Sequence, residues 1–89
     1  MRMTEHQVET RLHEIVAQYG PDGRLDAITD AHRFHDDLGF DSLDSAEFVM
    51  DIEDAFDLVI PDHDACRLPA VGDLRHYICK RLRRDGRLA

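Results

Sequence analysis

Residues 36–45 read Asp36-Asp37-Leu38-Gly39-Phe40-Asp41-Ser42-Leu43-Asp44-Ser45, and the way this stretch is parsed decides the fold. Leu38-Gly39 is a turn signal, because glycine takes backbone conformations that other residues avoid. The residues beyond the turn have helical spacing. Phe48, Val49, Ile52 and Phe56 fall on one face at about 100° per residue, so a helix is expected over residues 42–56. Ser42 then stands at a helix start, among free backbone N–H groups and the positive end of the macrodipole. It can serve there as an ordinary N-cap, a role serine often takes. It can also carry a phosphate group, which the same N–H groups would stabilise. Ser45, the only other serine, lies one turn further in and is poorly placed for the second role.

The same angular reading puts Leu43 and Met50 nearly opposite the apolar face, beside Glu47 and Asp54. Single exposed apolar residues are unremarkable. Two on one outward side, rimmed by carboxylates, make a docking patch. Acidic residues in a helix's first turns also complement the dipole, which is the plain account of Asp44 and Glu47.

Outward from this helix the chain reads as further helices. Thr4 and Gln7 have capping-box spacing, and Val8, Leu12, Ile15, Val16 and Tyr19 recur at helical intervals after them. Gly20-Pro21-Asp22-Gly23 is expected to stop that first helix. A long connection over residues 20–41 comes next, with Leu25, Ile28, Phe34 and Leu38 pinning it to the core. Ile60-Pro61-Asp62 breaks the chain, and a short helix is expected over residues 62–68. The last helix has Val71, Leu74, Tyr77, Ile78 and Leu82 as its apolar positions, and Lys80, Arg81, Arg83 and Arg84 at its C-terminal end. Gly86 marks its stop, and residues 85–89 are expected to fray as a tail. No β-alternation is evident. The expected fold is all-α: one domain over residues 1–89, its ordered core at about 4–84, with three main helices, one short helix and a long loop between the first two.

Eighty-nine residues suffice for one small domain. The net charge of −8 is unevenly placed: residues 30–64 hold twelve acidic and one basic residue, whereas residues 65–89 hold seven basic and two acidic. The anionic block argues against nucleic-acid binding and suits a partner with a basic patch. No apolar run is long enough to cross a membrane, and the polar opening residues do not form a signal peptide, so a cytoplasmic protein is expected. Cys66 and Cys79 lack metal or redox spacing and are expected to be reduced, buried thiols. The His32–His35 pair lacks the partners of a metal site. An EF-hand alignment fails as well, since placing Gly39 at its loop glycine puts Phe34 at the first ligand position.

The segment from Phe34 to Ile78 resembles the bacterial type II fatty-acid acyl carrier proteins. The likeness is carried by Phe34, Asp37-Leu38-Gly39, Asp41-Ser42-Leu43-Asp44, Glu47, Val49-Met50, Phe56-Asp57, Ile60-Pro61-Asp62 and Tyr77-Ile78. It implies that Ser42 is esterified by 4′-phosphopantetheine taken from coenzyme A by a phosphopantetheinyl transferase, the holo-carrier synthase. It implies a docking surface of Asp41, Leu43, Asp44, Glu47, Met50, Glu53 and Asp54 for acyl-transferring or acyl-modifying enzymes with basic patches. It also implies an acyl-chain pocket lined by Phe34, Phe48, Ile52, Phe56, Ile60, Leu68 and Tyr77, positions that ordinary core packing would also explain. The protein is then a monomeric carrier without catalytic residues, and its partners do the chemistry of fatty-acid, modified-lipid or polyketide synthesis.

Some positions depart from that pattern. Phe40 stands where the family usually has a small residue, and a bulky ring there could alter partner fit or shield the thioester. Asp51 adds an acid at a usually small position, and Ala55 replaces a usual acid. Pro69 and Ala70 replace hydroxyl residues, and the arginine-rich end is unlike the family's. These differences favour a specialised carrier. A peptidyl or aminoacyl carrier is the alternative within the class, against which the acidic helix and Leu38-Gly39-Phe40-Asp41 weigh. An unmodified structural subunit is the reading from another class.

Overall fold

The computed structural model describes residues 2–19 and 28–89. Four helices succeed one another: α1 (Glu5–Ala17), α2 (Ser42–Phe56), α3 (Asp62–Ala65) and α4 (Val71–Arg84). The expected all-α arrangement of three main helices and one short one is what forms. The proposed stop at Gly20-Pro21-Asp22-Gly23 and the pinning role of Leu25 lie outside the described residues.

α1 starts where its cap dictates. The Gln7 N–H donates to Thr4 Oγ1 at 3.1 Å, and the Thr4 N–H donates to Gln7 Oε1 at 2.9 Å, which satisfies two otherwise orphaned donors. Its stripe of Val8, Leu12, Ile15 and Val16 is buried against α2 and α4. α2 contributes Phe48, Ile52 and Phe56 to the same core, and α4 contributes Val71, Leu74, Ile78, Cys79 and Leu82. No polar or charged residue is buried among the described ones, so apolar packing carries the fold.

The connection into α2 is strapped to the start of α4. Phe34 N–H donates to the Pro69 carbonyl at 3.0 Å, Val71 N–H to His32 at 2.9 Å and Gly72 N–H to Asp30 at 2.9 Å. The chains approach so closely that a Cβ at Gly72 would lie 2.9 Å from the Asp30 Cβ. Arg75 grips the Asp30 carboxylate with bonds of 2.7 to 3.2 Å, and this guanidinium hydrogen bond holds the Asp30 carboxyl below its ordinary range. Ile28 is buried, and Phe34 and Leu38 pack on the core.

Three local expectations need correction. The short helix ends at Ala65, not near Leu68, and residues 66–68 continue as tight turns, with Arg67 N–H on Asp64 and Leu68 N–H on Ala65. Pro69 disfavours helical geometry at the residue before it. Cys66, expected to be buried, is exposed at the end of α3, where its thiol donates to the His63 carbonyl at 3.2 Å. Cys79 is buried, and burial pushes its thiol pKa up. The end of the chain, expected to fray, is tied down. Leu88 pairs with Met3 as a short parallel bridge, and the Ala89 N–H donates to the Met3 carbonyl at 2.7 Å. Arg87 reaches across to donate to the Phe56 and Asp57 carbonyls, the second at 2.9 Å. α2 has no basic residue in its own last turn, so Arg87 supplies from a distance the cation that a helix C-terminus favours.

Candidate functional site

The start of α2 is set by two carboxylates. Asp41, in extended conformation, is the N-cap: its Oδ1 accepts the Asp44 N–H at 2.8 Å, and Asp44 Oδ2 accepts the Asp41 N–H at 3.2 Å. Ser42 is therefore the first helical residue and not the cap, which corrects the plain N-cap reading of that serine. It is exposed, and its hydroxyl is released from capping duty at the end of the helix that favours anions. Ser45, exposed as well, lies one turn inside the helix and lines a cleft.

The turn leading to Ser42 is held from several sides. Asp37 Oδ2 accepts the Arg33 N–H at 2.8 Å, and the Asp37 and Leu38 N–H groups both donate to the Arg33 carbonyl at 3.0 Å. Gly39 comes next with φ of 72°, a left-handed conformation that glycine adopts without a Cβ penalty. Phe40 then closes the turn, its N–H donating to Phe34 at 2.9 Å and its carbonyl accepting the His35 Nδ1–H at 2.9 Å.

Phe40 is turned inward. It is 2 % exposed and packed in the core. Its ring meets those of Tyr19, Phe34 and Phe48 with centroids 5.3 to 5.4 Å away. Tyr19 donates its hydroxyl to Asp51. Burial, then that carboxylate, then the charges of Glu47 and Asp44 push the Tyr19 pKa up to about 12.

Outside, Leu43 and Met50 are 66 % and 62 % exposed, on one stripe of α2 with Glu47 and Asp54, while Asp41 and Asp44 crown the helix start. Glu53 stands apart from this surface. It is half-buried, and its Oε2 accepts the Ile60 N–H at 2.7 Å, which fixes the loop after α2.

A cleft of about 720 Å³ opens along α2, walled by the preceding loop, by α3 and the residues after it, and by Leu74 of α4. Four of the seven expected lining residues are there: Phe34, Phe48, Ile60 and Leu68. Ile52, Phe56 and Tyr77 are not. Ile52 and Phe56, 0 % and 1 % exposed, face the core between the helices. Tyr77 is turned to donate its hydroxyl to Asp64 at 2.8 Å and to accept from Arg81 at 2.9 Å. The apolar stripe of α2 and its cleft-facing side are neighbouring faces, and the sequence reading merged them. Phe40, Ser45, Ala46, Val49 and Ala65, which also line the cleft, were missed. The available signal was the small residues at Ser45, Ala46 and Ala65, which leave room beside larger neighbours. Among the described residues, no three His, Cys, Asp or Glu side chains are grouped to hold a metal ion, and no helix is long and apolar enough to cross a membrane.

The family model described as "PP-binding: Phosphopantetheine attachment site" matches residues 11–78. An acyl carrier protein from an Exiguobacterium species is 47% identical over 77 residues, covering 85% of this chain and 95% of that protein. Another from Chlorobium phaeobacteroides is 40% identical over 80 residues, covering 89% of this chain and all of its own. In three dimensions the chain is similar to the acyl carrier protein from Enterococcus faecalis, with a TM-score of 0.73 and 36% identity over 85% of this chain and 95% of that one.

Proposed function

The chain belongs to the acyl carrier protein family, and we propose that Ser42 is the residue to which its phosphopantetheine arm is esterified. A carrier of this family holds acyl groups through phosphopantetheine, whose terminal thiol forms the thioester. The observation that supports Ser42 is the division of work at the start of α2: Asp41 caps the helix, and the serine hydroxyl beside it stays exposed. The helix N–H groups and dipole favour a phosphodiester there and offset the nearby carboxylates. The cleft beside Ser45 and Ala46, one turn along the same helix, is apolar enough to shelter a fatty chain.

Leu43, Glu47, Met50 and Asp54, with Asp41 and Asp44, form the docking face for the phosphopantetheinyl transferase and for acyl-transferring or acyl-modifying enzymes. Its carboxylates steer basic partners in, and exposed ion pairs, individually weak, let them leave. Glu53 contributes to the loop and cleft more than to this face. The whole chain acts as a single cytoplasmic, monomeric carrier domain serving fatty-acid, modified-lipid or polyketide synthesis.

The test is to incubate the protein with coenzyme A, Mg²⁺ and a broad-specificity phosphopantetheinyl transferase, then sequence the labelled peptide by tandem mass spectrometry. The phosphopantetheinyl mass on Ser42 supports the assignment. The same mass on Ser45 or elsewhere overturns it, and no label on a folded protein favours an unmodified subunit.

A further inference from the structure

Phe40 and Asp51, two separate departures from the sequence pattern, belong to one assembly. The Phe40 ring packs against Phe34, Phe48 and Tyr19, with centroids 5.4, 5.3 and 5.4 Å away. Tyr19 also packs edge-on to Phe48 and hands its hydroxyl to Asp51 on α2, which locks it behind Phe40. The Phe40 backbone is fixed at both its N–H and its carbonyl. The ring is thus nearly sealed from solvent, yet it lines the cleft. A ring backed by other rings in a close-packed interior, and held at both backbone groups, is a wall and not a swinging gate.

We propose that Phe40 is a specificity-determining residue that sets the length of acyl chain the cleft accepts. The proposal rests on the reading of Ser42 as the anchor and of the cleft as the cargo site. Each methylene entering an apolar cleft adds to the stabilisation of the loaded protein, until the chain meets a side that will not yield. Here that side is Phe40, flanked by Phe34 and Phe48. A smaller residue in its place merges the volume of the ring with the cleft and moves the limit outward.

The test loads the arm-bearing protein with straight-chain saturated acyl groups from butyryl to palmitoyl and reads the thermal midpoint of each. The midpoint of the native protein climbs with chain length and then levels off. In Phe40→Leu, which keeps an apolar side chain, it levels off at a chain at least two methylenes longer. The longest thioesters of that variant also resist hydroxylamine several-fold better than those of the native protein. The same levelling point in both proteins overturns the proposal. Phe40→Ala opens the cleft further, and should it not fold, Phe40→Leu decides alone. Intact mass checks the arm beforehand. If Ser42 takes none, the anchor reading fails separately, and straight-chain alcohols of the same range are titrated into the unmodified protein. The lengths that shift the Phe34 and Phe48 ring signals by NMR must then extend in Phe40→Leu, or the proposal is wrong.

Discussion

At the start of α2, Asp41 does the capping that a lone serine there would have to do itself. The Asp41 carboxylate closes the helix, and the serine hydroxyl is left exposed. Removing the cap should therefore weaken the helix without removing the Ser42 hydroxyl. Asp41→Ala is expected to cost about 1 kcal/mol of stability in denaturant unfolding, with Asp41→Ser recovering most of it. The helix start at Ser42 was legible in the sequence because its signal is local, a turn glycine and then helical spacing within a few residues. Phe40 was not, because nothing in its neighbours tells a ring beside the arm from a ring in the core. Its place is decided by Tyr19, Phe34 and Phe48, of which two lie on other elements. Cys66 was misplaced for the same reason: the exposure of its short segment depends on where α3 stops.

At the scale of elements, α1, α2 and α4 were readable because cap and apolar stripe agree within each segment. α3 was less so, since its four residues bury none of their number and Pro69 bounds the turns after it. The tie to α2 from Tyr19, in the turn that follows α1, to Asp51, thirty-two residues on, leaves no trace in the pattern of either segment. It has a pH signature. The Tyr19 pKa is raised from 10.0 to about 12 in the folded protein, so the fold favours the neutral phenol. That contribution is fully present below pH 10 and is lost as pH rises through about 12. Tyr19→Phe, which has no proton to lose, should unfold with a shallower loss of stability across this window, monitored by circular dichroism in urea at stepped pH. A loss as steep as that of the native protein would remove Tyr19 from the account.

At the scale of the whole molecule, the cationic end of the chain serves the anionic middle. Arg87 caps α2 from the far terminus, Arg81 donates to the Val59 carbonyl at 2.9 Å, and Arg75 pairs with Asp30 at 2.7 Å, while Arg83 turns instead to Glu5 of α1 at 3.0 Å. The charge split was visible in the sequence, but its use was not, because it needs the fold to bring residue 87 to residue 56. Arg87→Ala should cost about 1.5–3 kcal/mol, the range for hydrogen bonds to charged groups. A melting curve and chemical unfolding would measure it, and Arg87→Lys would recover only part, lacking the second donor of the fork. The carboxylates of Glu47 and Asp54 stay exposed on the outward side of α2. Glu47→Lys should weaken docking to a basic partner enzyme several-fold at low salt and much less at high salt. A salt-independent loss would point to damage to the fold.

The proposed cargo cleft and docking face both depend on an arm attached at Ser42. The most direct measurement is the intact mass of the native protein, Ser42→Ala and Ser45→Ala after the same transferase reaction, with circular dichroism confirming that all three are folded. One added phosphopantetheinyl mass is expected on the native protein and on Ser45→Ala, and none on Ser42→Ala. Labelling that survives Ser42→Ala, or that disappears in Ser45→Ala, would contradict that attachment.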